Sequence, residues 1–257
     1  MLRVRLLFTA PFLALCLVPS ARAHRLEPIS TRFACPFQPG AGNLQVGYEY
    51  ERFAPEGIGV HLAPVAEFEL GLTSRTQFSL EMPLIVETHP QEPATAAAGH
   101  LKMSFRYLLA GSERKSYAIS INLFVEAPTG NQRLAGDAVA VGLALHFDKG
   151  FGPRVLFHGN YGWSSTIGGS EEPERVFRYN SALVFPLARH WNPVVELLGA
   201  TDTATGPTEV ALQPELIYSI SPHWELKVGV PFGLTQSSPG VGVRAQIVWI
   251  FGHKGSD

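Results

Sequence analysis

Apolar and polar residues alternate along most of the chain after Gly42, and this period of two is typical of β-strands. Residues 101–109, LKMSFRYLL, place Leu, Met, Phe, Tyr and Leu on one face and Lys, Ser and Arg on the other. Residues 241–251, VGVRAQIVWIF, repeat the pattern. The chain contains about 12 such segments, most of them about ten residues long, which is the length of a tilted strand that crosses a bilayer.

The connections between these segments alternate in length. Short connections are predicted at residues 73–74, 110–115, 148–151, 188–189 and 221–222. Longer ones are predicted at residues 86–98, 128–136, 164–174, 200–207 and 233–240, and only the first connection, near residues 54–56, breaks the alternation. Such alternation is typical of an outer-membrane barrel with long extracellular loops and short periplasmic turns. The prediction is an all-β fold, a transmembrane antiparallel up-and-down β-barrel over residues 42–251, with a C-terminal extension at 252–257.

A soluble β-barrel or sandwich would show the same alternation with its apolar face turned inward. Composition favours the membrane barrel, because only 16% of the 257 residues are charged, against about 25% in ordinary soluble proteins. The polar faces are poor in charge, and Trp and Tyr residues lie near predicted strand ends, as in aromatic girdles. Prolines 64, 193, 214 and 231 fall inside strand patterns, where the missing N–H predicts β-bulges.

The first 23 residues are predicted to be a secretory signal peptide. Arg3 and Arg5 precede a short apolar stretch, and Ala21-Arg22-Ala23 forms a small-x-small cleavage site. Without its three arginines the mature chain has 17 basic and 22 acidic residues, a net charge of −5, which argues against a nucleic-acid partner. Cys35 is then the one remaining cysteine.

Residues 24–41 form an irregular N-terminal segment that contains three prolines. It is either a periplasmic tail or a plug inside the barrel, and the sequence leaves both open. The predicted location is the cell outer membrane of a Gram-negative envelope, and the predicted partners are the lipid bilayer, the outer-membrane assembly machinery and a small-molecule solute.

If the apolar face meets lipid, the polar face lines the lumen. The charged candidates for this lining carry both signs, and they are Glu67, Glu69, Lys102, Arg106, Glu126, Arg178, Glu196, Glu215, Lys227 and Arg244. These groups either satisfy one another or line a permeation path and set its selectivity. Folding the hairpin about Ser221 predicts that Glu215 lies opposite Lys227 as a cross-strand ion pair.

Enzyme motifs are missing from the sequence. It contains neither Gly-x-Ser-x-Gly nor His-Glu-x-x-His, and His146 and His158 are offset on neighbouring strands, so we do not expect them to share a metal. We therefore predict no catalytic residues, no metal site and no cofactor.

Several stretches resemble the outer-membrane barrel family named for the phenol-degradation meta-pathway, whose members are labelled transporters or porins. The stretches are ELGLTSRTQF from Glu69, EMPL from Glu81, GHLKMSFRYLL from Gly99, EAPTG from Glu126 and YSISPHWELKVGV from Tyr218. His100 stands where the family has Asp, and six residues follow Phe251, where such barrels usually end.

The resemblance implies a role in moving small compounds, aromatic or hydrophobic ones among them, across the outer membrane, and it transfers no catalytic residue. Two alternatives come from other classes. One is a structural or surface-binding barrel that does not conduct and acts through its extracellular loops. The other is an outer-membrane lipid-modifying enzyme.

Overall fold

The computed structural model describes residues 26–52, 59–88, 93–112, 115–170, 173–188, 190–204, 206 and 208–252. Strands account for most of this chain. Their bounds are β1 Gly42–Arg52, β2 Gly59–Gly71, β3 Thr76–Thr88, β4 Thr95–Ala98, β5 Leu101–Gly111, β6 Tyr117–Ala127, β7 Val139–Gly150, β8 Leu156–Ile167, β9 Arg175–Val184, β10 Trp191–Asp202, β11 Thr208–Ser221, β12 Trp224–Gly229, β13 Phe232–Gly233 and β14 Val241–Phe251. One short helix, α1 (Gln132–Ala135), lies between β6 and β7.

The strands form a closed antiparallel barrel of 12 strands, as the alternation predicts. Each long strand pairs with its neighbours in the chain, and β1 pairs with β14 from Gly42↔Phe251 to Arg52↔Val241, which closes the barrel. Strand β4 adds only to the outer part of β3. Strands β12 and β13 together complete one position of the barrel, because both pair with β11 and with β14.

The two faces of the barrel are the reverse of those in a soluble protein. Outward-facing apolar side chains are exposed around the wall, for example Phe105, Leu123 and Leu143. Inward-facing polar side chains are buried, for example Gln45, Glu196 and Gln213, each at most 1% exposed. A soluble barrel would bury the first set and expose the second. The membrane interpretation is therefore correct, and the soluble alternative is excluded.

Two of the four strand prolines cause the predicted irregularity. The β2–β3 register shifts between Leu62 and Val65, around Pro64. Pro231 lies at the interruption between β12 and β13. In both cases the missing N–H removes a ladder bond, and the neighbouring pairing adjusts.

The bulges predicted at Pro193 and Pro214 are wrong. Both residues keep regular register, Pro193 with Leu216 and Pro214 with Val195. Each proline lies one residue outside the pairing with the second neighbouring strand. The β9–β10 pairing begins at Val194, next to Pro193, and the β11–β12 pairing begins at Glu215, next to Pro214. Neither proline therefore has to donate to that second neighbour.

Aromatic side chains cluster at the short-turn end of the barrel. Trp191 and Tyr218 have ring centroids 4.5 Å apart, and Trp249 lies 5.4 Å from Phe251 and 6.4 Å from Trp224. These amphipathic rings suit the level of the lipid headgroups. None of the helices in the described ranges has the length and apolar character needed to cross a membrane.

Some predictions fall on residues outside the described ranges. These are the signal peptide 1–23, the short first connection at residues 54–56, and all of the C-terminal extension except Gly252.

Candidate functional site: the barrel interior

Residues 26–41, called the inner segment from here on, lie among the inward-facing side chains of the barrel. The segment has no regular strand or helix, yet it is largely buried. Thr31 and Ala34 are fully enclosed, and Ile29, Phe33 and Cys35 are no more than 7% exposed. Buried irregular backbone needs hydrogen-bond partners of its own, and here the partners come from the barrel wall.

Two carboxylates of β10 and β11 hold the first part of the inner segment. Glu215 accepts from the N–H of Ile29 at 3.1 and 3.2 Å through its two oxygens. Glu196 accepts from the N–H groups of Ser30 and Thr31 at 3.3 and 2.8 Å. Buried N–H groups need acceptors, and these carboxyl oxygens provide them, so the contacts fix residues 29–31.

Side chains of β7, β8 and β9 hold the next part. The amide nitrogen of Asn160 donates to the carbonyl of Arg32 at 2.8 Å, and that of Asn180 donates to the carbonyl of Ser30 at 3.2 Å. Asp148 accepts from the N–H of Ala34 at 2.8 Å. The backbone of the inner segment thus passes along the interior of consecutive strands.

The same segment also touches the other side of the barrel. Arg32 forms an ion pair with Glu67 of β2. Arg244 of β14 donates to the Ser30 hydroxyl at 2.6 Å. A chain that bonds to β2 and β14 as well as to β7–β11 spans the interior of the barrel.

The charged residues predicted to line the lumen divide into two sets. Six are buried among the inner-segment contacts and the neighbouring wall, none more than 6% exposed: Glu67, Glu69, Arg106, Glu196, Glu215 and Lys227. Arg244 lies beside them and pairs with Glu49 and Glu51. Lys102, Glu126 and Arg178 lie toward the long loops, where Lys102 forms an ion pair with Glu81 at 3.3 Å.

The predicted pairing of Glu215 with Lys227 across the β11–β12 hairpin is wrong. Glu215 lies opposite Gly229, and Lys227 lies opposite Ile217. The hairpin turns between Pro222 and His223 rather than at Ser221, because Ser221 lies opposite Trp224. With a one-residue register shift between Ser219 and Ser221, the partners lie two residues from the predicted ones. The two charges are therefore diagonal neighbours, and Glu215 bonds to the inner segment instead.

Asp148 contributes to the site although the pattern of residues predicts it in a short connection. Strand β7 continues to Gly150 and turns the Asp148 side chain inward. There it accepts from both Ala34 and His158. The alternation from residue 138 to 146 extends to 148 and could have revealed it. No sequence signal identified Arg32, because the inner segment has no period.

A cavity opens at the long-loop end of the barrel, beyond the inner segment. Its empty space is about 880 Å³, counting the mouth. The floor includes small residues, Ala140 of β7 and Ala138 just before it, and the side walls carry Phe124, Glu126 and Arg178. Within the described part of the chain, no three His, Cys, Asp or Glu residues are grouped to hold a metal ion.

A family profile described as "Putative MetA-pathway of phenol degradation" matches residues 50–251. The chain belongs to this family. The match spans the barrel from the end of β1 to the last residue of β14, so family membership and the observed fold agree. No curated protein is a significant match to the chain.

Solved structures with the same fold are outer-membrane barrels. A COG4313 outer membrane channel from Pseudomonas putida F1 has a TM-score of 0.64 at 15% identity, covering 88% of this chain and 100% of its own. The KdgM porin has a TM-score of 0.58 at 10% identity, covering 81% and 99%. The NanC porin has a TM-score of 0.56 at 8% identity, covering 82% and 100%. At these identities the similarity establishes the fold.

Proposed function

We propose that this barrel passes small solutes, aromatic or hydrophobic ones among them, across the outer membrane. The open cavity at the long-loop end carries the proposal, since it gives a solute an entrance of mixed polar and apolar character. The fold shared with outer-membrane channels and porins supports it. The predicted signal peptide and assembly by the outer-membrane machinery belong to the same proposal.

The inner segment acts as the constriction in this proposal. It bonds to both sides of the interior, so a solute that enters from the cavity must pass beside it. A narrow path favours small solutes. The Phe124 ring, Ala138 and Ala140 offer apolar contact at the entrance, which favours solutes with an aromatic or aliphatic body.

Planar-bilayer conductance and liposome swelling test this function. The wild-type barrel should show a small conductance. The double variant Glu196→Gln and Glu215→Gln should conduct more, because a carboxamide has one acceptor oxygen in place of two and therefore offers fewer acceptors to the N–H groups of residues 29–31. Glu209→Gln is the matched control, since Glu209 lies on the same strand as Glu215 and the described contacts of the inner segment do not include it.

Swelling in sodium benzenesulfonate and in sodium methanesulfonate tests the aromatic preference, because the two anions carry the same charge. Faster swelling in benzenesulfonate is expected. A barrel that neither conducts nor swells liposomes, as wild type or as the double variant, would contradict the channel function. A non-conducting barrel that acts through its loops would give that result.

A further inference from the structure

We propose that the cavity at the long-loop end is a binding site for a compact zwitterion with an apolar body, such as an aromatic α-amino acid. The proposal deepens the function proposed above by naming a ligand class, but binding can be measured without passage. The enclosed volume of the cavity is about 230 Å³, below the range of drug-sized ligand sites, about 300–1,000 Å³, so the ligand must be compact.

The wall formed by β5 and β6 supplies a carboxylate for the ammonium group. Glu126 lines the cavity and lies opposite Lys102 in the β5–β6 register. The Lys102 ammonium, however, pairs with Glu81 at 3.3 Å. Among the residues that the structure describes, no side chain forms a hydrogen bond or ion pair with the Glu126 carboxylate.

The opposite wall, formed by β8 and β9, supplies the cation for the carboxylate. Arg178 lines the cavity and donates through Nη1 to the Ser164 hydroxyl at 3.0 Å. No carboxylate of the described chain lies within ion-pair distance of its guanidinium. A guanidinium presents several donors in one plane and suits bidentate binding of a carboxylate.

His100 adds a neutral donor to the same cavity. Its Nδ1 accepts from the N–H of Gly130 at 3.2 Å, so the neutral ring carries its proton on Nε2. The ring is 6% exposed, and Nε2 has no hydrogen-bond partner within the described ranges. A buried donor without a partner is costly.

The floor between these walls is small and apolar. Strands β7 and β8 separate Glu126 on β6 from Arg178 on β9, so the two backbones are about 14 Å apart at a strand spacing of about 4.8 Å. The Arg178 guanidinium narrows this gap, because it reaches over β8 to bond with Ser164. Ala140 of β7 and Ala138 just before it line this floor, and the Phe124 ring stands beside it. Asp137 and Glu174 also line the cavity, and Arg178 is the one Lys or Arg among the described lining residues. A carboxylate wall and a guanidinium over this floor match a ligand with an ammonium, a carboxylate and an aromatic ring.

Three matched probes test the site by calorimetry on the full-length barrel in detergent micelles, with empty micelles as the blank. Phenylalanine carries both charges, phenethylamine only the ammonium, and 3-phenylpropionate only the carboxylate. Phenylalanine should bind at least about tenfold more tightly than either of the others, because it alone engages both walls.

Two variants test which wall binds each charged group of the ligand. Arg178→Gln should lower the affinity for phenylalanine to that for phenethylamine. Glu126→Gln should lower the affinity for phenylalanine to that for 3-phenylpropionate. Arg175→Gln is the control for charge, since Arg175 lies on the same strand and is exposed. Heat-modifiable migration on gels confirms that each variant is folded.

The proposal is overturned if phenethylamine binds as tightly as phenylalanine, or if none of the probes binds above the micelle blank. It is also overturned if Arg178→Gln leaves the affinity for phenylalanine unchanged. Conductance without binding of these probes would contradict only the proposed binding site. Binding without conductance would contradict only the proposed channel function.

Discussion

Asp148 and His158 lie directly opposite each other on β7 and β8, with 2.8 Å between Oδ1 of Asp148 and Nδ1 of His158. The second oxygen of Asp148 accepts from the N–H of Ala34 at 2.8 Å. One carboxylate thus ties the barrel wall to the inner segment. The residues that form these two hydrogen bonds are buried, with Asp148 4% and His158 1% exposed.

Asp148→Ala should expose Cys35 to thiol reagents. The substitution leaves the N–H of Ala34 without its acceptor. A bond to a charged group contributes about 1.5–3 kcal/mol, so the open form should rise by about tenfold or more. The measurement is the rate of maleimide labelling of Cys35, which is 7% exposed in the native barrel.

Asp137→Ala is the control for this experiment, because the Asp137 carboxylate bonds only to Ser170 in an outer loop among the described contacts. Its labelling rate should equal that of the wild type. Equal rates for the Asp148 and Asp137 variants would show that Asp148 does not hold the inner segment.

Leu143→Arg should destabilise the barrel in lipid vesicles by about 2–4 kcal/mol, the cost of an arginine on the lipid face near the bilayer midplane. Leu143 lies in the middle of β7 and is 45% exposed. The measurement is the free energy of unfolding from urea titration.

Leu187→Arg is the matched control, because Leu187 is 66% exposed in a short turn. There an arginine should cost no more than about 1 kcal/mol. An equal cost at both positions would contradict the placement of the lipid-facing band.

Trp191 and Tyr218 should be coupled by about 0.5–1.5 kcal/mol in a double-mutant cycle, as expected for an aromatic pair beyond the area that it buries. Their rings are 4.5 Å apart on adjacent strands. The cycle compares the unfolding free energies of Trp191→Ala, Tyr218→Ala and the double variant. Additive losses would mean that the rings act independently.

Gly142→Ala should destabilise the barrel by about 1–3 kcal/mol, the usual cost of overpacking. A Cβ at this position would overlap the Phe124 ring, whose nearest atoms would be 2.2 Å away. The measurement is the temperature at which the folded band is lost on gels. Phe124→Leu should restore much of the loss when combined with Gly142→Ala, and a failure of this rescue would contradict the steric cause.

The alternation of residues predicted the strand number, the antiparallel order and the exposure of residues such as Phe105, because side-chain direction in a strand follows from position alone. The register of the strand pairs was harder to predict from the sequence. Lys227 lies opposite Ile217 instead of Glu215, because the hairpin turns between Pro222 and His223 and its register shifts by one residue between Ser219 and Ser221. Nothing in the local pattern marks either feature.

The contacts of the inner segment could not be predicted for a different reason. Residues 26–41 show no periodic alternation of apolar and polar residues. Their hydrogen-bond partners depend on three-dimensional position rather than on neighbouring sequence. The predicted set of charged lumen residues did include Glu196 and Glu215, but their bonds to the backbone of residues 29–31 appear only in the folded barrel.

The inner segment also constrains the order of assembly. Its bonds span 165 residues from Thr31 to Glu196, 186 from Ile29 to Glu215 and 214 from Ser30 to Arg244. The amides of residues 29–31 therefore find their acceptors only when β10 and β11 are in place, whereas that of Ala34 bonds to Asp148 of β7. Contacts between residues far apart in the chain form slowly in folding. We therefore expect the interior to be sealed only when the last strands of the wall are added.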